Sequence, residues 1–397
     1  MKERSSIAVT GMGCICAAGA DAVECIASLF EGKRNLVPPS RFRSTHPKIY
    51  PVLEVPGEFL PEKLRKREDL HLTGKFAVAA AHEAIANAGL SIRQLEKKRV
   101  GVCVGTTVGS SMNNEDFYRG FRMGGDPDMA PITRYLRSNP ASAIAREFSL
   151  TGPCQTVVNA CSSGTDAIGI GLSWIRSGIC DIVVAGGADE LCHVTYNGFI
   201  SLMVTDDGPC KPFDRRRKGL NLGEGAGMLV LESEDSCRER MERVRSILFG
   251  YGCSTDAYHL TAPHPKGEGL RRALREVLRS CDIDTGEIAF VNAHGTGTSD
   301  NDRVESHVLN ELLPGVPFLS TKGITGHTLG AAGGIEAVFT VACLETGRVP
   351  ASAGFSVRDP DLPVSPVEQT TTFKGHTALS QSLAFGGSNG ALLFKRA

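Results

Sequence analysis

The sequence lacks an excess of charge of either sign and lacks a long apolar run. Its 43 Lys and Arg residues balance 44 Asp and Glu residues, which excludes a generally basic nucleic-acid binder but allows a local basic patch. No uncharged apolar stretch reaches the roughly 18 residues that a membrane span needs, so none is predicted. The 41% hydrophobic content excludes disorder and allows a sizeable core in a chain of 397 residues.

Aromatic residues are scarce, at 6% with one Trp, whereas glycine is abundant at 45 residues. This balance suits the tight turns and close backbone contacts of an α/β enzyme. The 13 cysteines form no C-x-x-C pair, and Cys14 and Cys16 are the closest two. A small disulfide scaffold is excluded and a structural zinc site is not expected. Most cysteines are therefore predicted to be core residues in a reducing compartment, the cytoplasm.

A dinucleotide-binding fingerprint is also missing. Gly11-Met12-Gly13 follows an apolar run, but Cys16 stands where the third glycine belongs, and no acidic residue closes a second strand at the right distance. We therefore expect no nicotinamide or flavin. The apolar start after Lys2 and Arg4 faintly imitates a signal peptide, but its glycines interrupt it, which favours a buried strand running into a loop.

Short apolar runs alternate with helical patterns, which is typical of an α/β fold with buried sheets. Two series are present. The predicted strands are 6–11, 100–105, 155–159, 181–185 and 227–231, then 246–253, 288–293, 317–320, 378–383 and 390–395. The predicted helices are 75–88, 165–177, 269–280 and 334–346.

The two series resemble each other. Gly-x-Gly-Cys at 11–14 is matched at 250–253, and the third strand of each series leads through a small-residue turn into a helix. This favours an internal duplication with halves 1–245 and 246–397, although chance similarity among glycine-rich turns gives the same signal. The segment 112–148, rich in Gly, Asp, Arg and Pro, is interpreted as an insertion over a site or an interface.

Cys161 is the strongest candidate nucleophile. It follows an apolar strand and precedes a predicted helix, so the helix dipole and free N–H groups favour its thiolate. Its own N–H could face a developing oxyanion. The alternative is a buried cysteine in a glycine-rich turn.

His294 and His327 lie in two similar Gly- and Thr-rich turns, where a histidine often faces a ligand. With Cys161 they could act as acid–base or carbonyl-polarising groups. Lys322 and Glu336 flank His327 and form either a buried supporting pair or a surface ion pair. Cys161, His294 and His327 are not accompanied by carboxylates or cysteines at the spacing of a metal site, so no metal is expected.

Several motifs, taken in order, resemble those of β-ketoacyl-[acyl-carrier-protein] synthases, of type II and thiolase superfamily. They span essentially the whole chain. The motifs are 159–164 (Asn-Ala-Cys-Ser-Ser-Gly), 211–214, 223–227, 254–259, 292–298 (Asn-Ala-His-Gly-Thr-Gly-Thr), 322–327 (Lys-Gly-Ile-Thr-Gly-His) and 385–389 (Phe-Gly-Gly-Ser-Asn).

This resemblance implies the thiolase fold, in which duplicated halves form a five-layer αβαβα core, normally dimeric. It also implies a decarboxylative Claisen condensation. Cys161 would carry the acyl chain as a thioester, and His294 and His327 would stabilise the enolate of malonyl-carrier protein. Lys322 and Glu336 would form the supporting pair. No metal or redox cofactor would be required.

Further roles are implied by the same resemblance. The N–H groups of Cys161 and Phe385 would form the oxyanion hole, and Phe385 would gate the acyl pocket; the alternative is a hairpin turn with a packed Phe. Thr296 and Thr298 would contact the pantetheine arm. Met112 is assigned to the acyl pocket near the dimer interface.

Carrier proteins are acidic, so a basic docking patch is expected. One candidate is the run Lys63, Arg65, Lys66 and Arg67, and a second is the run 215–218; solvated surface charge is the alternative for each.

Departures from the family pattern leave the pathway open. The run 299–302 is unusually acidic, and the Cys and His turns lean toward polyketide-type synthases, while the length fits a stand-alone type II enzyme. Fatty acid elongation and a heterodimeric polyketide or aryl polyene system are both compatible with the sequence. The chain is therefore expected to form either a homodimer or a heterodimer with a chain-length-factor-like subunit. A thiolase-type enzyme is disfavoured because it relies on a second catalytic cysteine late in the chain, which this sequence lacks. A non-catalytic subunit is disfavoured because Cys161, His294 and His327 are retained.

Overall fold

A computed structural model describes residues 6–44, 46–109, 111–241 and 243–397, without the side chains of Met112 and Asn113. The strands are β1 (Ile7–Cys16), β2 (Val100–Gly105), β3 (Cys154–Val157), β4 (Ile182–Asp189), β5 (Gly225–Ser233), β6 (Ser246–Thr255), β7 (Ile288–Asn292), β8 (Phe318–Leu319), β9 (Arg348–Val349), β10 (Thr371–Thr372), β11 (Thr377–Leu383) and β12 (Ser388–Arg396).

Helices alternate with these strands. They are α1 (Ala22–Glu31), α2 (Glu62–Arg65), α3 (Leu72–Asn87), α4 (Ile92–Leu95), α5 (Glu115–Arg122), α6 (Ala130–Arg137), α7 (Pro140–Glu147), α8 (Ser163–Arg176), α9 (His193–Ser201), α10 (Glu234–Arg240), α11 (Glu268–Cys281), α12 (Ser299–Leu312), α13 (Lys322–Thr325) and α14 (Ala332–Thr346).

The strand order shows the duplication. It runs β3-β2-β4-β5-β1, then β6-β12-β11-β7-β8, so the second half repeats the first in mirror order. The halves meet where Ile7–Val9 of β1 pair antiparallel with Ser246–Leu248 of β6. In each half the strands at the outer edge are parallel, and one antiparallel strand, β5 or β12, lies beside the first strand.

Five layers follow from the packing of the helices. Helices α3 and α7 cover the outer face of the first half, whereas α11 packs on β6 and β12, with α12 beside it, on the outer face of the second. Helices α8 and α14 contact each other and strands of both halves, so they form the middle layer. This is the thiolase fold that the resemblance implies, with its duplicated halves. The boundary at residue 245 stays a prediction.

The repeated Gly-x-Gly pairs serve helix packing. A Cβ on Gly13 would lie 2.1 Å from the Ala80 carbonyl oxygen of α3, and a Cβ on Gly252 would lie 2.3 Å from the Ala273 carbonyl oxygen of α11. Only glycine allows the outer helix to lie this close to the first strand of each half. The expected loop after residue 11 is wrong, since β1 continues as a buried strand to Cys16.

Helix α14 and the turn before it, Leu329–Thr346, are long and apolar enough to cross a membrane, with a mean hydropathy of 1.3. However, 89% of this stretch is buried inside the fold. Its apolar character therefore reflects its place in the middle layer, where it is covered on all sides.

Segment 112–148 divides into two parts. Helices α5 and α6 bury no side chains among those described and expose Phe121 and Leu136. Helix α7 instead packs on α3 and β2 as part of the outer layer. Only the first part of the segment therefore has the character of an insertion.

Candidate active site

Cys161 lies in the turn between β3 and α8 and is 4% exposed. The preceding Ala160 has a φ of 48°, a left-handed conformation that a residue with a Cβ rarely adopts. The first turn of α8 also approaches the turn after His327, because a Cβ on Gly164 would lie 2.8 Å from the Gly330 carbonyl oxygen. Small residues thus bring the cysteine turn of one half against the histidine turn of the other.

The prediction that Cys161 is a thiolate is wrong for the resting protein. Burial raises the pKa of the Cys161 thiol to about 11, although the Phe385 backbone N–H and the Lys322 ammonium lower it. Desolvation of the charged form therefore outweighs the opposing effects of Phe385 and Lys322. At neutral pH the group is therefore a thiol.

His294 lies two residues after the end of β7, and His327 two residues after the end of α13. Both are 2% exposed, and their rings meet edge to face with centroids 5.2 Å apart. Burial lowers the pKa of His294 well below 6.5, with Lys322 and His327 adding to the effect; burial and Lys322 do the same for His327. Both imidazoles are therefore neutral at physiological pH.

The hydrogen bonds define which nitrogen of each ring carries the proton. Lys322 Nζ lies 3.2 Å from His294 Nδ1, and because an ammonium only donates, that nitrogen accepts. His327 Nδ1 accepts from the Leu329 N–H at 3.1 Å. In both rings Nε2 is consequently the N–H donor, and both rings line the cavity that Cys161 also lines.

Lys322 and Glu336 form a buried ion pair, with side chains 1% and 2% exposed, rather than a surface pair. Lys322 Nζ also donates to the His294 carbonyl oxygen at 2.7 Å. Burial raises the pKa of Glu336 to about 7, against the opposing effect of Lys322. The cation beside His294 keeps that ring neutral and fixes its orientation.

Sequence reasoning missed the carboxylates that hold these turns. Glu305 of α12 accepts the backbone N–H groups of His294 at 2.6 Å and Gly295 at 2.7 Å. Asp189, at the end of β4, accepts the N–H groups of Thr107 at 2.7 Å and Gly330 at 2.8 Å. A carboxylate in the second turn of a helix, or one that ends a strand, is a weak signal because nothing beside it in the sequence shows which backbone groups it will hold.

The acidic run 299–302 begins α12. Asp300 is exposed, whereas Asp302 is buried and accepts the N–H groups of Phe213 at 2.6 Å and Gly297 at 3.2 Å. Acidic residues in the first turn are favourable for the helix dipole. The departure from the family pattern thus has a structural explanation.

Phe385 lies in a short helical turn where Gly386 and Gly387 have φ values of 82° and 80°. Its ring stacks on Phe199 of α9, with centroids 5.4 Å apart and planes 14° apart. Sequence reasoning missed Phe199, whose ring also lies 6.4 Å from His327. The two aromatic rings form one wall beside Cys161, which is the place expected of a gate.

These groups surround one cavity of about 270 Å³. Thr296 and Thr298 line it, with their hydroxyl oxygens 2.8 Å apart. Its rim carries Met203, which is 87% exposed, and Lys218. The cavity therefore reaches solvent at Met203, whereas Cys161 and the two histidines are buried parts of its lining.

The run Lys63, Arg65, Lys66 and Arg67 does not line this cavity. Lys66 pairs with Glu62 at 2.5 Å, and Arg67 pairs with Asp69 at 2.6 Å. In the second run, Arg217 pairs with Asp359 and Lys218 lies on the rim. Carrier docking by the first run stays a prediction. The expected contribution of the Met112 side chain falls outside the part of the chain that the structure describes.

This fold and this arrangement of one cysteine and two histidines define a thiolase-fold enzyme. The family models "Beta-ketoacyl synthase, N-terminal domain" and "Beta-ketoacyl synthase, C-terminal domain" match residues 4–236 and 245–356. The chain belongs to the β-ketoacyl synthase family.

Known proteins resemble the chain over its whole length. The 3-oxoacyl-[acyl-carrier-protein] synthase 2 of Synechocystis sp. is 33% identical, with 99% of each chain covered. The protein of the same name from Staphylococcus aureus (strain COL) is 30% identical, covering 100% of this chain and 99% of the relative.

Solved structures agree. The ishigamide ketosynthase/chain length factor superposes with a TM-score of 0.93 at 32% identity, covering 100% of both chains. A type II polyketide ketosynthase complexed with its acyl-carrier protein, bound to the hexaketide, superposes with a TM-score of 0.89 at 25% identity, again covering 100% of both.

Proposed function

We propose that this chain is a β-ketoacyl-[acyl-carrier-protein] synthase that extends an acyl chain by two carbons. One observation carries the proposal: a buried thiol shares a cavity with two neutral histidines, and Nε2 is the N–H donor of both. Two neutral, buried donors suit a reaction in which negative charge develops on a thioester oxygen.

The first step loads Cys161. Its sulfur attacks the thioester carbonyl of an acyl-carrier protein, the bond to the phosphopantetheine sulfur breaks, and the thiol proton ends on the released pantetheine. The Phe385 N–H lowers the pKa of the Cys161 thiol and Phe385 lines the same cavity, so with the Cys161 N–H it would hold the oxyanion. Phe385 and Phe199 would move to admit the acyl chain.

The second step uses malonyl-carrier protein. His294 and His327 donate to its thioester oxygen while the bond to the carboxylate breaks, and carbon dioxide leaves with the electron pair remaining on an enolate. The enolate carbon attacks the acyl carbonyl on Cys161. The Cys161 thioester bond then breaks, the sulfur takes up a proton, and the β-ketoacyl chain stays on the carrier.

Lys322 and Glu336 would act as positioning residues, because Lys322 orients His294 and keeps it neutral. Thr296 and Thr298, which line the same cavity, would bond the pantetheine arm. The reaction as proposed uses no metal and no redox cofactor.

The partners follow from the same proposal. An acidic carrier protein would dock at the cavity rim, where Lys218 lies, with the run 63–67 as the second candidate surface. A homodimer or a chain-length-factor heterodimer would cover the exposed edge of β3 and the neighbouring apolar residues Leu136 and Val158, which are 69% and 66% exposed. We place the protein in the cytoplasm, where its free cysteines stay reduced.

The test is the intact-protein mass after incubation with a panel of acyl-carrier proteins. The wild type should gain one acyl group and Cys161→Ala none, and the preferred chain would indicate the pathway. An adduct that survives in Cys161→Ala would overturn the role of Cys161.

The His327→Ala variant separates the two steps. It should still gain the acyl group but lose condensation with malonyl-carrier protein by about 100- to 1,000-fold in kcat, as for loss of one oxyanion donor. An equal loss of acylation would instead place His327 in the loading step.

A second candidate is the catalytic subunit of a heterodimeric type II polyketide or aryl polyene system. Similarity to the ishigamide ketosynthase/chain length factor favours it. No acylation by any saturated carrier-bound chain, followed by acylation with an aryl or polyene primer or with an added partner subunit, would support this candidate over fatty acid elongation.

A further inference from the structure

The fold assembles three cysteines that their spacing in the sequence did not group. Cys14 and Cys16 lie two residues apart on β1, and therefore on one face of that strand. Cys25 lies on the first turns of α1. All three are 0% exposed, and their sulfur atoms lie within 4.8 Å of one another.

The sulfur atoms converge. Cys16 Sγ and Cys25 Sγ are 3.5 Å apart, and Cys25 Sγ is 3.4 Å from the Gly19 carbonyl oxygen. An ion held by three sulfurs at about 2.3 Å would separate them by roughly 3.8–4.0 Å. The separation of Cys16 and Cys25 is slightly shorter than this and none of the three exceeds 4.8 Å, so small side-chain movements suffice to place an ion between the three thiols.

The cluster offers three soft donors, the cysteine sulfur atoms. Within the described ranges, no histidine or carboxylate completes this group as a fourth ligand. The nearby Glu83 carboxylate is engaged, since it accepts the N–H groups of Cys14 at 2.8 Å and Ala22 at 2.9 Å. Zinc in structural sites is almost always four-coordinate, whereas soft thiolates also select Cu(I), which is satisfied by three sulfurs.

We propose that Cys14, Cys16 and Cys25 form a binding site for one Cu(I) ion, tying β1 to the start of α1. The site is separate from the proposed active site, since none of the three lines that cavity. The turn between Cys16 and Asp21 lies beside the site and reaches the surface: Cys16 and Gly19 bond each other through their backbones at 3.1 Å, and Ala18 and Ala20 are half-buried.

The test titrates the reduced, full-length protein with Cu(I) in acetonitrile solution, without oxygen and against a chromogenic Cu(I) chelator. The wild type should retain one equivalent, and X-ray absorption should show three sulfur ligands. Cys16→Ala should weaken binding by more than the 10- to 100-fold that losing a group supporting a metal ligand costs.

Two control variants keep the result specific. Cys180→Ala removes another buried cysteine, and Cys161→Ala removes the proposed nucleophile; both should bind Cu(I) as the wild type does. Cys25→Ala should repeat the loss seen in Cys16→Ala, with each apo variant's far-ultraviolet circular dichroism matching that of the apo wild type.

Three results would overturn the site: no tight equivalent in the wild type, a tight equivalent retained in both Cys16→Ala and Cys25→Ala, or binding lost in Cys161→Ala. If the reduced protein does not bind Cu(I) but forms a Cys16–Cys25 disulfide when treated with peroxide, the cluster is a redox pair and not a copper site. None of these results bears on the acylation of Cys161.

Discussion

Cys161, His294 and His327 are buried, and burial disfavours the charged form of each. For the thiol this raises the pKa, and for the imidazoles it lowers the pKa. All three groups are thus neutral together near pH 7. In the neutral state each histidine accepts a hydrogen bond at Nδ1 and keeps Nε2–H free to donate to a developing enolate.

The first prediction concerns the alkylation rate of the Cys161 thiol, since only the thiolate reacts with an alkylating agent. With a pKa of about 11, the rate of Cys161 modification by iodoacetamide should rise nearly tenfold per pH unit from pH 7 to 10. Peptide mass spectrometry at each pH measures this rate. A plateau near pH 8 would contradict it, and Cys253, an exposed cysteine, serves as the internal comparison.

The second prediction concerns the stability and the pH dependence of a Lys322→Ala variant. Lys322→Ala leaves Glu336 buried without its cation, which should cost about 3–5 kcal/mol of unfolding free energy. Because Lys322 lowers the pKa of His294, the variant should also lose activity at higher pH than the wild type as the solution is acidified. The measurements are urea unfolding and the pH dependence of kcat/KM.

A matched control is Lys66→Ala, which removes an exposed i,i+4 pair with Glu62 and should cost about 0.5 kcal/mol or less. If the acid limb of Lys322→Ala stayed where the wild type has it, Lys322 would be a structural residue without influence on His294.

At the scale of elements, Gly-x-Gly sets how closely an outer helix lies on the first strand of each half. Gly13→Ala would place a Cβ 2.1 Å from the Ala80 carbonyl oxygen, so α3 must move from β1. We expect a loss of about 1–3 kcal/mol, typical of overpacking, measured by urea unfolding.

The comparison variant is Gly198→Ala on α9, where nothing lies within 4 Å of the added Cβ. It should be neutral or stabilising by up to about 1 kcal/mol. Equal stability of the two variants would show that the contact between α3 and β1 adjusts without cost.

Most elements could be predicted because their signals are local. The apolar run at β2 and the alanine-rich pattern of α3 are bounded by turn residues. The end of β1 was missed because Gly11 and Gly13 also suit a turn, and only the distant α3 explains them. Cys161 and the two histidines could be found from their motifs, whereas Phe199 and Asp189 act through partners remote in sequence.

At the scale of the whole molecule, the exposed edge of β3 and the apolar side chains beside it indicate a second subunit. Leu136 and Val158 line one surface depression with Thr156 of β3. Leu136→Asp should therefore convert a dimer to monomer, as measured by analytical ultracentrifugation.

Val23→Asp is the control, since Val23 is also exposed, at 74%, but lies on α1. This variant should keep the assembly of the wild type. Dissociation by Val23→Asp, or an intact dimer in Leu136→Asp, would place the interface elsewhere.

Strand β12 is the last strand in sequence but lies between β6 and β11 near the middle of the sheet order. The second half cannot close its sheet until this strand is inserted, and its pairing with β6 joins residues more than 130 positions apart, such as Asn389 and Ser254. Such non-local pairing slows folding, because the entropy of loop closure must be overcome before contacts form. The motif that places Phe385 beside Cys161 precedes this strand, so the oxyanion-binding side of the cavity should be among the last parts of the molecule to form.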